Sequence, residues 1–164
     1  MPSNSNKYRI VPVLLLIGGA LLAFGAGKAT RLLPPLRKGK ITSRFGDRDH
    51  PLHPGTTEFH NGIDIAVPEG TNVYAIAPGQ VTSSYYTDKG GKQLVITQDN
   101  GYKAGYAHLR FPLVSIGDKV ERGAVIAQSG RTGNVTGAHL HFTLRNREGK
   151  YIDPEKSIRF ATSV

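Results

Sequence analysis

Two short clusters of histidine and aspartate carry residue types and spacings that could do chemistry. His60 and Asp64 lie in the run HNGIDIA, and His139 and His141 lie in the run AHLHF. Neutral imidazoles and carboxylates are ligands for divalent zinc, and a catalytic zinc site uses three protein ligands and keeps one position open. Four candidates for three places leave one side chain to act on a substrate. The clusters therefore favour a catalytic site over a closed structural one.

The His-x-His pair is predicted to lie on a β-strand, where alternate side chains share a face. His139 and His141 would then point to one face, while Leu140, Phe142 and Leu144 would point to the other face, into a core. Two imidazoles can be presented together in this way on one side of a packed sheet. Taken alone, the pattern is weak evidence for a metal.

The first cluster has a similar alternation. His60 and Asp64 share parity along their run, and Gly62 lets the backbone bend closely between them. Asp64 stands between Ile63 and Ile65 in an apolar strand, where an unpaired buried carboxylate is costly. Either a metal ion or a hydrogen-bonded position at the end of a strand would satisfy this carboxylate.

A fifth candidate is His108, which ends a predicted strand in the run YAHL. A histidine at such a position is most often a solvated surface residue. His50 and His53 are assigned to a loop over residues 47–57 that could form one rim of a cleft. Residues 130–137 (GRTGNVTG) lack the lysine and the following helix of a phosphate-binding loop, so they are predicted to be a flexible loop presenting the last strand.

The elements that must position these residues are predicted to be short strands. The chain of 164 residues contains 20 glycines and 10 prolines, and no long stretch has a helical apolar period. Strands are predicted over residues 41–45, 63–67, 80–86, 93–98, 102–108, 124–128 and 139–144. An Asn-Gly turn over residues 99–101 indicates a hairpin. The expected fold class is an all-β domain built on an antiparallel sheet.

The first 38 residues are predicted to be distinct from the body. Residues 10–27 are uncharged and mostly apolar, close to the roughly 20 residues that span a bilayer. We expect them to form one N-terminal hydrophobic helix that anchors the protein in a membrane, with a cleaved signal peptide or a buried core helix as alternatives. Pro34-Pro35 indicates a linker, and the folded domain is predicted over residues 39–164.

The net charge of +9 is concentrated near the amino terminus. Residues 1–40 hold seven basic and no acidic residues, whereas the rest of the chain holds fourteen basic and twelve acidic residues. Basic residues beside an apolar segment typically meet anionic lipids, and the body has no basic–aromatic pattern of a nucleic-acid module. No nucleic-acid partner is therefore predicted.

More basic residues follow the apolar segment than precede it, so the membrane orientation stays open. The chain has no cysteine, which excludes disulfides and thiolate zinc sites.

The runs HNGIDIA, YAHL and AHLHF, in this order and spacing, resemble the lysostaphin/LytM-type zinc endopeptidases. The resemblance covers about residues 39–156 and implies the duplicated hybrid motif-like β-fold of that family. It implies Zn2+ as cofactor, with His60, Asp64 and His141 as metal ligands and His108 and His139 as the catalytic pair. Which histidine of the pair is the base stays open. Thr143 and the dipeptide before YAHL depart from the family pattern and affect the expected substrate preference only.

The resemblance further implies a zinc-dependent endopeptidase that hydrolyses peptide bonds in the stem peptides or cross-bridges of peptidoglycan. A non-catalytic wall-binding or amidase-activating module of the same fold is the alternative. We expect the catalytic domain to face the cell wall from a membrane, in the periplasm or at the cell exterior. Secretion after signal cleavage and a phage virion membrane are the other possibilities. The bond cleaved, the host and the oligomeric state stay open.

Overall fold

The structure is a computed structural model, and it describes residues 31–50 and 53–160. Its strands are β1 (Lys40–Ser43), β2 (Gly46–Asp49), β3 (Thr57–His60), β4 (Ile63–Ala66), β5 (Asn72–Tyr74), β6 (Gly79–Thr87), β7 (Gly91–Gln98), β8 (Lys103–Pro112), β9 (Lys119–Val120), β10 (Val125–Ser129), β11 (His139–Arg145) and β12 (Tyr151–Ile152). One 3₁₀ helix follows at Pro154–Lys156. Over these two ranges, no helix is long and apolar enough to cross a membrane. The hydrophobic helix predicted over residues 10–27 lies outside them.

Ten of the strands form one antiparallel sheet, which confirms the predicted fold class. Its main order is β1-β4-β11-β8-β7-β6-β9, with β12 added to β11 and with β10 joining β8 to β5. The strands β2 and β3 form a separate two-stranded sheet. The predicted hairpin at residues 99–101 joins β7 to β8, and the Gln98 amide bonds the Tyr102 carbonyl at 2.8 Å.

One face of the large sheet is apolar and closed. The side chains that fill it from the central strands are fully or almost fully buried: Ile63, Ile65, Leu94, Ile96, Tyr106, Leu140, Phe142 and Leu144. Burying each large apolar side chain contributes roughly 1.5–3 kcal/mol. Because a slip of one residue would exchange the two faces of β11, this burial fixes its register. His139, His141 and Thr143 are thereby held on the other, open face.

The prediction of a loop over residues 47–57 is in part wrong, because this segment begins and ends in paired strands. Asp47, Arg48 and Asp49 belong to β2 and pair with Phe59, Glu58 and Thr57 of β3. These two strands are largely polar and charged, so they lack the apolar alternation that marks a half-buried strand. The strands β5, β9 and β12 were also not predicted, because a strand of two or three residues is too short to show an alternation of apolar and polar side chains.

The segment predicted as a linker makes contacts with the body. Leu36 is buried in the core, the Leu33 amide donates to the Ile76 carbonyl at 3.0 Å, and the Tyr74 amide donates to the Pro35 carbonyl at 2.9 Å. The division of the chain at residue 39 stays a prediction.

Candidate metal centre and its histidine pair

His60, Asp64 and His141 come from three strands that meet at one point. Asp64 of β4 and His141 of β11 are direct partners in the antiparallel register, and His60 is the last residue of β3. Gly62 lies in the turn that connects β3 to β4. A Cβ atom at this position would lie 2.3 Å from the Phe142 carbonyl oxygen. Glycine is therefore required for this turn to approach β11.

Three electron-rich atoms of these residues face one another. His60 Nε2 lies 3.2 Å from Asp64 Oδ1, and His141 Nδ1 lies 2.7 Å from the same oxygen. The two nitrogens are 3.1 Å apart. Ligand atoms of a tetrahedral zinc ion, bound at about 2.0–2.1 Å, are separated by about 3.3 Å. The spacing of these three atoms therefore fits a small tetrahedral cation.

Hydrogen bonds at the back of both imidazoles decide which nitrogen is available. His60 Nδ1 lies 2.8 Å from the Arg44 carbonyl oxygen, and His141 Nε2 lies 3.1 Å from Asn61 Oδ1. Both oxygens only accept hydrogen bonds, so each can hold a proton on the outer ring nitrogen when the inner nitrogen binds a metal. In that tautomer, two lone pairs and a carboxylate oxygen converge on one point. This arrangement is the form in which histidine binds metals, with the outer N–H holding the ring in place.

The second carboxylate oxygen of Asp64 is held by a partly buried ion-pair network. Arg48 Nη1 donates to Asp64 Oδ2 at 3.0 Å, and the same guanidinium bonds Glu58 through Nη2 at 2.6 Å and Nε at 2.9 Å. Burial raises the pKa of Asp64, but hydrogen bonds with His141 and His60 outweigh it and leave this pKa well below its usual range. The Arg48 guanidinium lowers the pKa of Glu58. Both carboxylates are therefore ionised.

His108 reaches the same cleft through a break in β8. Ala104 and Tyr106 are buried, so simple alternation would send residue 108 into the core as well. Instead, the register of β8 against β7 shifts, and His108 adopts a positive φ of 61°. Leu109 fills the core in its place. A β-bulge of this kind re-aims a side chain, here toward the open face.

His108 and His139 lie side by side beside the three converging atoms. Their ring centroids are 4.6 Å apart, and His139 Nε2 lies 3.8 Å from Asp64 Oδ1. His108 Nδ1 donates to the Thr132 carbonyl at 2.9 Å, and His139 Nδ1 donates to the Gly137 carbonyl at 2.9 Å. Burial, with a smaller effect of the neighbouring imidazoles, lowers the pKa of His108 to about 4. His108 is therefore neutral at neutral pH and, with its ring proton on Nδ1, keeps an Nε2 lone pair.

Thr132 locks the bulge that carries His108. Besides its carbonyl bond to His108, its hydroxyl donates to the Leu109 carbonyl at 2.8 Å and accepts the Lys92 amide at 3.0 Å. The glycine-rich segment over residues 130–137 was predicted to be a flexible presenting loop. Thr132 fixes it to β7 and β8 within the described structure.

The structure brings together all five residues singled out from the sequence and shows three more that were not. His50 lies 3.5 Å from Glu58 and is not part of the converging triad. Arg48, Asn61 and Thr132, which hold Asp64, His141 and His108, were missed. Asn61 had one available signal, since it stands beside His60 and carries an acceptor oxygen; the other two become visible only through long-range packing.

Comparisons with known proteins agree with this geometry. The family described as Peptidase family M23 matches residues 58–154. The peptidoglycan DD-endopeptidase ShyA of Vibrio cholerae is 41% identical over 140 residues, which are 84% of this chain and 32% of ShyA. The chain thus spans about a third of the length of this relative, and about a quarter of the related ShyC and ShyB.

Solved structures share the fold. A zinc-containing peptidase from Vibrio cholerae superposes with a TM-score of 0.69 at 37% identity, covering 79% of this chain and 40% of the other. The catalytic domain of lysostaphin from Staphylococcus simulans gives a TM-score of 0.64 at 29% identity, covering 72% of this chain and 90% of the other. The second comparison spans almost the whole of an isolated catalytic domain, so the similarity is that of a complete fold.

Proposed function

Because the chain belongs to peptidase family M23, whose zinc-containing members share its fold, we propose that it is a zinc-dependent endopeptidase that hydrolyses peptide bonds in the stem peptides or cross-bridges of peptidoglycan. The observation that carries the proposal is the convergence of His60 Nε2, Asp64 Oδ1 and His141 Nδ1 to within 3.2 Å of one another. The name of ShyA supports the substrate class. The activity, substrate and partners of the whole protein belong to the same proposal, since the chain matches only part of such relatives.

His60, Asp64 and His141 would hold zinc through the three converging atoms. Bound there, zinc supplies Lewis acidity toward a substrate carbonyl and toward water. The protein keeps these atoms ready by holding the outer ring nitrogens on Arg44 and Asn61. Ligands that are fixed before binding lose little conformational entropy when the metal arrives, so the site is preorganised.

The proposed work of His108 and His139 is proton transfer at their Nε2 atoms. Each Nδ1 is committed to a backbone carbonyl, which leaves Nε2 as the acceptor for a proton of the attacking water. A low pKa makes the His108 imidazolium, once formed, a strong acid toward a leaving amine. The pair shares the roles of base and acid, and the order in which the two histidines act is part of what experiment must assign.

We further propose, on the sequence alone, that residues 10–27 form a hydrophobic helix that holds the domain at a membrane. The domain would face the cell wall from there, in the periplasm or at the cell exterior. The uncharged apolar run and the basic residues on both sides support this location. Secretion after cleavage of this segment and location in a phage virion membrane are the alternatives.

Mass spectrometry of muropeptides tests the proposed reaction and names the bond. Purified cross-linked peptidoglycan is digested with the full chain carrying zinc, with the chain treated with a chelator, and with that chain after zinc is restored. We expect new amino and carboxyl termini in the first and third digests only. Stoichiometric zinc without new termini in any digest would reject the endopeptidase and leave a wall-binding module.

A further inference from the structure

A groove on the open face of the sheet leads away from the metal centre along β8 and β11. It begins at Asn61 and His141, passes over Gly105 and Thr143, and ends at Lys103 and Arg145. The register of the two strands pairs Thr143 with Gly105 and Arg145 with Lys103. Two cationic side chains therefore face each other across the far end of the groove.

Small residues line the floor of this groove between its two ends. A Cβ atom at Gly105 would lie 2.4 Å from Thr143 Oγ1, so the threonine side chain occupies the space that a larger residue would fill. Ala107, which pairs with His141, adds only a methyl group. Small residues along β8 thus connect the metal centre with the cationic end.

The two cations have no anionic partner among residues 31–50 and 53–160, where the ion pairs involve other basic residues. Like charges directly opposite one another in a sheet destabilise it. Arg145 is nevertheless held in place, because its guanidinium lies 4.3 Å from the Tyr151 ring centroid and donates to the Tyr151 hydroxyl. A fixed guanidinium with free donors and an exposed ammonium beside it form a pair that an anion would neutralise.

We propose that Lys103 and Arg145 form a subsite for a free carboxylate of the peptide substrate. A carboxylate accepts parallel hydrogen bonds from a guanidinium, and the lysine adds a second charge without requiring a fixed geometry. Arg145 lies four residues after His141 on β11, which places the carboxylate about 13 Å from the metal centre. An extended peptide covers this distance in about four residues.

This inference rests on the proposed function for the reaction and adds the chemical class that the groove selects. Because the subsite lies far from the reacting bond, it would bind ground state and transition state alike. Removing it should therefore raise KM and leave kcat nearly unchanged. A merely structural effect of the same substitutions would lower kcat or the stability of the fold.

The test uses purified cross-linked muropeptide dimers in two forms, native and with their free carboxylates converted to carboxamides. The K103Q/R145Q chain is compared with the unaltered chain and with K150Q/K156Q, which removes the same charge from exposed positions outside the groove. Lys103→Gln alone is included, since an exposed side chain can be exchanged without disturbing the core. Cleavage is followed by chromatography, and equilibrium binding of both dimers is measured on His139→Ala chains with and without the groove substitutions.

We expect the unaltered chain and K150Q/K156Q to prefer the native dimer by about 10-fold or more in kcat/KM, which corresponds to about 1.4 kcal/mol or more. K103Q/R145Q should lose this preference through KM, and Lys103→Gln should lose part of it. Equal cleavage and binding of the native dimer by K103Q/R145Q and the unaltered chain would overturn the subsite. Carboxylate-dependent binding without any cleavage would support the subsite while rejecting the endopeptidase.

Discussion

The strands β11 and β8 are neighbours in one sheet, yet they present their histidines to the cleft in different ways. On β11, His139 and His141 face the cleft through regular alternation, and the buried residues that alternate with them along the strand fix the register. On β8, His108 faces the cleft only because the strand bulges and the residue adopts a φ of 61°. A left-handed backbone at a non-glycine residue costs of order 1–3 kcal/mol and persists where its surroundings hold it.

The two strands therefore differ in the contacts that they need to hold their histidines in the cleft. His141 needs only a well-packed sheet, because apolar burial on the opposite face holds it in register. His108 needs in addition the carbonyl and hydroxyl of Thr132 and the bond from its own amide to the Gly90 carbonyl at 2.9 Å. We therefore expect the metal to depend on β11 and the proton chemistry to depend also on β8.

The largest expected effect is that of His141→Ala, which removes one of the three converging atoms. Zinc content should fall from stoichiometric to near zero, and hydrolysis should fall by about 10³-fold or more, since the several kcal/mol that a bound metal supplies are lost. Metal analysis and the muropeptide assay measure both. The control is His53→Ala, which replaces a loop histidine outside the triad and should change neither zinc content nor hydrolysis. Retained hydrolysis in His141→Ala would reject the ligand assignment.

The next effect separates the histidine pair from the ligands. His108→Ala and His139→Ala should each keep zinc and lose about 10²–10⁴-fold in kcat, because general acid–base catalysis contributes on this scale. The pH profile of kcat in each variant shows which limb of the reaction its histidine supports. A normal turnover number in either variant would exclude that residue from catalysis, and loss of zinc would make it a ligand.

The contrast between β11 and β8 also marks how far sequence reasoning reaches. The period of two in β11 predicted which residues form the core and which face the cleft, and the family resemblance identified the residues that converge. The bulge at His108 leaves no local trace, because it depends on the Gly90 carbonyl and on Thr132, which lies 24 residues away. From its place at a strand end, His108 was expected to be a solvated surface residue, and the structure instead buries it beside His139.

The network around Asp64 was beyond prediction for a different physical reason. Arg48 and Glu58 lie on strands whose polar residues show no apolar alternation, so the pairing of β2 with β3 is recognised only after folding. The parity argument for His60 and Asp64 was also incomplete. The two residues lie on separate strands, and the turn at Gly62, packed closely against β11, brings them together.

A smaller effect should follow from Arg48→Gln, which removes the guanidinium from Asp64 Oδ2 without touching the converging atoms. Loss of such a supporting contact typically lowers metal affinity by about 10–100-fold. Competition with a chromophoric chelator measures the zinc affinity of Arg48→Gln and of a control variant, Arg44→Gln. The control retains the backbone carbonyl of residue 44 that accepts from His60, so its zinc affinity should match that of the unaltered chain. Equal affinities in all three chains would show that Arg48 does not position Asp64.

The smallest effect concerns the pH dependence of stability at His108, measured on the zinc-free chain. Burial lowers the folded-state pKa of this imidazole to about 4 from an unfolded value of 6.5. The unfolded chain therefore binds the proton more tightly, and stability should fall as the pH falls through the window between the two values. Complete protonation would remove roughly 3 kcal/mol.

His108→Asn isolates this contribution, because asparagine tolerates a positive φ and does not titrate. Urea unfolding at pH 7 and near pH 4.5 gives the free energy of unfolding of both chains, and groups that do not interact with His108 cancel in the difference between them. We expect the unaltered chain to lose about 2 kcal/mol relative to His108→Asn between the two pH values. If the difference between the two chains does not change with pH, His108 has the same pKa in the folded and unfolded states. Burial in the bulge of β8 then does not lower this pKa.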